Sequence, residues 1–233
     1  YNFLGSSLEK KNQIYDAEII YTKSLEVDPK NSFALVNLGR ISRIINDLQR
    51  SEELLKQAID LEPENLFAQL YYGELKIDQN NFKEAISIFE KIYEKNKDFQ
   101  NVIMRLASVY SIIGEFKKAE KYLSLTSKKK PELFAADYRL SNIINYSERK
   151  DHQKLILEKI KNKKFDKLNK HLLLFAISKS YEDQKDYEQA FKYMELANKE
   201  RNKLVVGNSL RYEESFFNKN KEIFSNIDIK ENI

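Results

Sequence analysis

The chain has 233 residues, enough for one or two domains, with 40 basic and 36 acidic side chains and a net charge of +4 at pH 7. Its 5 Gly and 3 Pro are too few for the closely spaced turns of an all-β protein, which predicts a mostly helical fold. With 42% hydrophobic and 33% charged residues and no cysteine, the composition excludes a disordered chain, an integral membrane protein and any disulfide or thiolate site.

The few turn-forming residues recur at a fixed interval of 34 residues or its double. They are Gly5, Gly39 and Gly73, and Pro29, Pro63 and Pro131. A fixed period of this length is typical of a protein built from stacked repeats. The period divides the chain into a truncated first repeat, 1–31, followed by 32–65, 66–99, 100–133, 134–170 and 171–204.

Two positions of the repeat carry small residues. Position eight comprises Gly5, Gly39, Gly73, Ala107, Ser141 and Ser178, and position twenty comprises Ala17, Ser51, Ala85, Ala119, Gln153 and Ala190. Glycine inside a helix costs roughly 1 kcal/mol relative to alanine, so its recurrence in phase indicates close contact between two helices. We expect position twenty, on the second helix of each repeat, to make that contact. The proline near the end of a repeat stops its second helix.

Three runs of the first repeat resemble the tetratricopeptide repeat: Tyr1 to Gly5, Tyr15 to Glu18, and Ser24 to Pro29. The resemblance extends over 1–204 and implies an all-α fold, a right-handed superhelix of about six stacked helix–turn–helix pairs. The fifth repeat, 134–170, departs most from the pattern, since Lys150 and Gln153 stand where an aromatic residue and alanine are expected. It is predicted to be degenerate.

The repeat pattern stops after Leu204, and we assign 205–233 to a capping helix and linker, with Ser209 as a candidate N-cap. The segment from Tyr187 to Phe224 resembles the junction between repeats and catalytic domain in bacterial tetratricopeptide-repeat sulfotransferases. That resemblance implies that this chain is the N-terminal arm of such an enzyme, whose catalytic domain follows Ile233. Within the sequence there is no glycine-rich phosphate loop, so no catalytic residue is assigned.

A search for catalytic chemistry identifies no candidate. The only histidines, His152 and His171, do not form a metal-binding pair on one helix, and we expect structural or surface roles for both. No cofactor, metal site or catalytic residue is predicted. The basic block 117–170 is interpreted as solvated helix ends and loops in a lysine-rich bacterial protein, which argues against nucleic acid as a partner, although an anionic partner stays an alternative.

In the fold implied by the resemblance, the first helix of each repeat lines a concave groove. The groove positions predicted to bind a partner are Asn37, Arg40, Arg43, Tyr71, Met104, Arg105, Tyr138, Arg139 and Asn142. Arginine binds carboxylates through two parallel hydrogen bonds, asparagine pairs with peptide backbone, and aromatic rings form apolar pockets. The sequence therefore favours a cytoplasmic, non-catalytic scaffold that binds a protein or peptide segment. A polar lining without a dedicated ligand is the alternative, and the oligomeric state stays open.

One particular ligand is disfavoured at this stage. Members of the family that bind a chaperone tail hold its terminal carboxylate with a set of lysine, asparagine and arginine residues in three consecutive repeats. Only Asn37 occupies a matching position here, or only Arg105 if the register is moved by one repeat.

Overall fold

The structure, a computed structural model, describes residues 1–162 and 170–203, and all regular elements among them are helices. The first four are α1 (Asn2–Lys10), α2 (Ile14–Val27), α3 (Ser32–Ile44) and α4 (Leu48–Leu61). The next four are α5 (Leu66–Asp78), α6 (Phe82–Lys95), α7 (Gln100–Ile112) and α8 (Phe116–Lys129). They are followed by α9 (Phe134–Ser141), α10 (Lys150–Lys161), α11 (Lys170–Asp183) and α12 (187–203).

The chain divides into two compact units, unit 1 (1–126) and unit 2 (127–233). In unit 1 each helix from α1 to α6 packs against the next helix in the sequence, α3 packs against α5, and α5 packs against α7. This nearest-neighbour pattern is that of a stacked helical repeat. In unit 2, α11 packs against both α9 and α10.

Helix starts in unit 1 follow the sequence period. The first helices of three consecutive repeats begin at Ser32, Leu66 and Gln100, and the second helices begin at Leu48, Phe82 and Phe116. Asparagine side chains cap three of these starts. Asn31 Oδ1 accepts from Ala34 N, and Asn65 Oδ1 accepts from Phe67 N and Ala68 N, all at 3.1 Å. Asn81 Oδ1 accepts from Glu84 N at 3.4 Å. Each cap satisfies backbone groups that have no partner within the helix.

In five of the repeats, the turn between the two helices contains one residue with positive φ. These residues are Asn12, Asn46, Asn80, Gly114 and Lys185, with φ between 59° and 79°. The first four lie 34 residues apart, so the turn conformation has the same period as the glycines and prolines. Asparagine and glycine are the residues that adopt this left-handed conformation most readily, which explains their recurrence at this position.

Each helical glycine lies against a large side chain of the second helix, whereas we expected it to contact the small residue at position twenty. A Cβ at Gly39 would lie 2.8 Å from Leu55 Cγ, and one at Gly73 would lie 2.8 Å from Phe89 Cζ. Both neighbours belong to position twenty-four of the repeat, not position twenty. A missing Cβ leaves room for a bulky group, so the fully buried ring of Phe89 fills the space.

The fifth repeat has a short first helix. α9 has 8 residues, whereas α3, α5 and α7 have 13 each. Residues 142–149 that follow are turn and bend, and they include the fully buried Tyr146. The capping helix and linker predicted for 205–233 lie outside the described residues.

In the described part of the chain, no helix combines the length and apolarity needed to cross a bilayer. Over the same residues, no group of three or more His, Asp and Glu side chains is placed to hold a metal ion.

Candidate functional site

A cleft lined by aromatic side chains opens on the first helices of unit 1. Phe33 and Phe67 are each the second residue of their helix, α3 and α5, directly after the capped start. Their side chains remain 47% and 49% exposed, although large aromatic residues are normally well buried. The cleft has a volume of about 360 Å³ and is lined by Phe33, Val36, Asn37, Glu62, Asn65, Phe67 and Tyr71.

Neighbouring rings hold the cleft aromatics in place. The ring of Phe67 meets that of Phe99 edge to face at a centroid distance of 5.5 Å and lies 6.4 Å from that of Tyr71. The ring of Phe33 meets Tyr21 edge to face at 6.2 Å. Edge-to-face contacts are a favoured geometry for aromatic pairs. The apolar wall is therefore formed before any ligand arrives.

Ion pairs connect neighbouring first helices at positions that the sequence predicts to line the groove. Arg43 on α3 donates from Nη2 to Glu74 Oε2 at 2.6 Å and from Nη1 to Asp78 Oδ2 at 2.8 Å. Arg105 on α7 pairs through Nε with the other carboxylate oxygen of Glu74. Glu74 is only 4% exposed, and two arginines compensate the cost of burying its charge. Its carboxylate thereby joins three consecutive repeats.

A further arginine of the groove is paired near Tyr71. Arg40 binds Glu9 on α1 through Nη2, and its guanidinium carbon lies 5.7 Å from the centre of the Tyr71 ring. Burial of the Tyr71 phenol raises its pKa, with Arg40 acting against this and Glu74 adding to it. The Tyr71 phenol is therefore uncharged at neutral pH, and the Arg40 cation lies over one face of its ring.

These pairs change the chemistry expected of the groove. Three arginines face three carboxylates, those of Glu9, Glu74 and Asp78, so these six side chains together have no net charge. A carboxylate ligand would meet arginines whose charge is already balanced by protein carboxylates. The arrangement suits a ligand held by apolar contacts more than one held by its negative charge.

The remaining predicted residues of unit 1 are Asn37 and Met104. Asn37 lines the cleft, and its amide donates to Phe33 O of the same helix at 2.9 Å. Met104 lies half-buried on α7, and Ser108 Oγ donates to its carbonyl. Asn37 and Tyr71 thus border one cleft, whereas Met104 is not part of its lining.

The other three predicted residues lie in unit 2. The ring of Tyr138 on α9 packs 6.3 Å from that of Phe175 on α11. Arg139 follows on α9 and Asn142 directly after it, and both are exposed. The predicted set is therefore divided, with six residues in unit 1 and three in unit 2.

The acidic partners of the groove arginines were missed by sequence reasoning, although a signal for them exists. Glu9 and Arg40, Arg43 and Glu74, and Glu74 and Arg105 are each 31 residues apart. This spacing is shorter than the 34-residue repeat by about one helical turn. It therefore brings side chains of adjacent first helices together. Opposite charges at this interval predict the pairs, whereas a search at 34 residues does not find them.

Unit 2 contains a buried polar cluster that sequence reasoning also missed. Asp137, which is fully buried, accepts from Lys159 Nζ at 2.7 Å and from Ser127 Oγ at 2.5 Å. His152 Nε2 lies 3.1 Å from the same carboxylate, and its Nδ1 lies 2.6 Å from Tyr146 Oη. Burial raises the pKa of the Tyr146 phenol. All five groups are buried, so we assign the cluster a structural role.

Comparison with known families identifies the repeat. Three family profiles, each described as a tetratricopeptide repeat, match residues 1–31, 20–53, 46–92, 76–139 and 172–203. The chain belongs to the tetratricopeptide-repeat family. Solved structures of this family share its fold, and the all-α repeat fold predicted from the sequence is confirmed.

Three solved structures illustrate the likeness. PilW, described as a widely conserved type IV pilus biogenesis factor, has a TM-score of 0.67 at 16% identity, over 88% of this chain and 96% of its own. PilF of Pseudomonas aeruginosa has a TM-score of 0.65 at 16% identity, over 89% and 96%. YrrB, described as having an unusual peptide-binding site, has a TM-score of 0.56 at 15% identity, over 82% and 97%. At these identities the likeness establishes the fold alone.

A curated relative of this tetratricopeptide-repeat chain is the human protein O-mannosyl-transferase TMTC1. The two are 26% identical over 123 residues, which is 53% of this chain. The match spans 14% of the length of that relative, so it shows a shared repeat segment.

Proposed function

We propose that this tetratricopeptide-repeat chain is a non-catalytic scaffold and that it binds an extended segment of a partner protein in the groove of unit 1. The observation that carries the proposal is the pair of half-exposed rings, Phe33 and Phe67, at equivalent positions of consecutive repeats. Their two helices are joined by tertiary contacts, so the rings line one cleft. Preformed aromatic pockets of this kind are where binding energy concentrates in peptide recognition.

The predicted groove residues take different roles in this proposal. Asn37 and Tyr71 contact the ligand within the cleft. Arg40, Arg43 and Arg105, with their carboxylate partners, form the floor that the ligand backbone passes over, and Met104 provides an apolar contact on α7. Tyr138, Arg139 and Asn142 belong to unit 2, and their role in binding stays a prediction.

A random peptide library tests the proposal. Phage-displayed dodecapeptides are selected on the immobilised full chain, and the dissociation constants of the recovered peptides, synthesised with a fluorophore, are measured by anisotropy. We expect Phe67→Ala to weaken binding at least tenfold, about 1.4 kcal/mol, because the peptide loses its apolar anchor. Phe33→Ala, on the other side of the cleft, provides a second variant.

The matched control is Phe116→Ala, which removes a ring that is 52% exposed and lies outside the cleft lining. It should leave the dissociation constants within twofold. Circular dichroism of all variants checks that the helices persist. If no peptide is recovered, or if Phe67→Ala and Phe33→Ala bind as wild type does, the groove of unit 1 is not the binding site.

The alternative, that this chain is the repeat arm of a sulfotransferase, rests on the sequence resemblance of the segment from Tyr187 to Phe224. Most of that segment lies outside the described residues. The gene downstream of the codon for Ile233 decides this alternative: it requires a strand followed by a glycine-containing phosphate loop.

A further inference from the structure

The cleft of unit 1 combines apolar walls with one acidic edge. Its walls are the side chains of Phe33, Val36, Phe67 and Tyr71. Among the described residues that line it, Glu62 is the one charged side chain. A ligand that fills the cleft therefore meets an apolar surface and a negative charge together.

Hydrogen bonds hold the Glu62 carboxylate at this edge. Asn65 Nδ2 donates to Glu62 Oε2 at 2.8 Å, while Asn65 Oδ1 accepts from the backbone N–H groups of Phe67 and Ala68. The amide of Asn65 therefore connects the start of α5 to the carboxylate. One carboxylate oxygen, Oε2, accepts a hydrogen bond from the amide. The other, Oε1, can accept a hydrogen bond from a ligand.

The arginines of the groove do not offset this negative edge. Arg40 is paired with Glu9, and Arg43 and Arg105 share Glu74. An acidic ligand would be repelled by Glu62 and would meet arginines whose charge is already balanced by protein carboxylates. A basic ligand has no such cost, and its charge complements the edge.

We propose that the cleft selects a segment in which a bulky apolar side chain lies next to a lysine or arginine. The apolar side chain packs between the rings of Phe33 and Phe67, and the cation reaches Glu62. The aliphatic stem of a lysine or arginine can lie along an aromatic ring while its charged end stays at the edge. This inference rests on the proposed function, because it specifies the ligand of the same groove.

Three matched peptides test the inference. Starting from the most strongly enriched library peptide, the residue beside its bulky apolar residue is set to Lys, Gln or Glu. Binding of each peptide to the full chain is measured by anisotropy at low and high NaCl. We expect the Lys peptide to bind about fivefold more tightly than the Glu peptide at low salt, with the Gln peptide between them, and the difference to shrink at high salt.

Two variants assign the effect to one carboxylate. Glu62→Gln should bring the Lys and Glu peptides within twofold of each other. Glu64→Gln is the control, because Glu64 pairs with Lys95 and does not line the cleft, and it should preserve the preference.

The outcomes separate this inference from the proposed function. Tighter binding of the Glu peptide, or a preference for Lys that survives Glu62→Gln, overturns the charge selection. In either case, Phe67→Ala can still weaken all three peptides, and the groove then remains the binding site. If Phe67→Ala weakens none of them, the groove assignment fails and the ligand inference fails with it.

Discussion

Single atoms determine how closely the two helices of a repeat approach. Gly39 and Gly73 lie so near Leu55 and Phe89 that a Cβ would come within 3 Å of the buried side chain. Protein interiors are close-packed, so neither neighbour can move away without disturbing its own contacts. Gly114 is a glycine for another reason: its φ is +79° and a Cβ there would meet nothing within 4 Å.

The Gly73→Ala variant tests this close approach. Alanine gains up to about 1 kcal/mol in helix propensity but forces a displacement of the Phe89 ring, and overpacking costs about 1–3 kcal/mol. We expect a net loss of about 1–2 kcal/mol, measured by urea unfolding. Gly114→Asn is the control, since asparagine occupies the same turn at Asn46 and Asn80, and it should change stability by less than about 0.5 kcal/mol. A Gly73→Ala protein as stable as wild type would contradict the close-approach interpretation.

At the scale of elements, the fifth repeat combines an apolar core around Phe134 and Ile156 with a buried charged cluster. α9 is short, and residues 142–149 bring Tyr146 into the interior beside His152. Lys159 on α10 spans from Ser127 to Asp137 and so ties α10 to α9. A buried pair of this kind is strongly destabilising to break but can be replaced whole at little cost.

The Lys159→Met variant tests the buried ion pair. Lys159→Met leaves the fully buried carboxylate of Asp137 without its cation, and we expect a loss of about 3 kcal/mol or more in the free energy of unfolding. The double variant Asp137→Asn with Lys159→Met removes both charges and should recover most of that loss. If the double variant is as unstable as Lys159→Met alone, uncompensated charge is not the cause.

At the scale of the whole molecule, we expect the stability of each repeat to depend mainly on its contacts with neighbouring repeats. Contacts within unit 1 join helices that are adjacent or next but one in the sequence. In such a stack, stability is approximately the sum of each repeat and its neighbour interfaces, with no contact that spans the chain. A change in one repeat should therefore act mainly on its neighbours.

Hydrogen exchange measures this locality. Gly73→Ala should speed amide exchange in α5 and α6, and more weakly in α4 and α7, while α11 exchanges as in wild type. Lys159→Met should instead speed exchange in α9, α10 and α11. A uniform change along the whole chain in both variants would mean that the molecule opens as one cooperative unit.

The repeat itself was predictable from single residues. Gly5, Gly39 and Gly73 mark the period, and the amphipathic pattern between them predicts the helix pairs. The groove arginines Arg40 and Arg43 were also placed on the correct helices. Their partners were not predicted, because a pair such as Arg43 and Glu74 depends on the offset between two repeats as well as on the period.

The buried cluster of unit 2 could not be predicted in the same way. Asp137 and Lys159 are 22 residues apart, an interval with no relation to the repeat, and each is a residue type that is normally exposed. Only the shortening of α9 and the path of residues 142–149 bring Ser127, His152 and Tyr146 around them. The two sequence departures noted in this repeat, Lys150 and Gln153, indicate irregularity but do not identify the residues that compensate for it.

The sequence by itself determined the fold class, because a 34-residue period and helical spacing are local properties that survive without knowledge of any contact. The tertiary structure decided which charges surround the arginines that the sequence predicts to line the groove. Whether an arginine can bind a ligand depends on which carboxylate lies beside it, and the offset between adjacent helices places Glu74 between Arg43 and Arg105. Phe33 and Phe67 are distant in sequence and border one cleft only because α3 and α5 pack together.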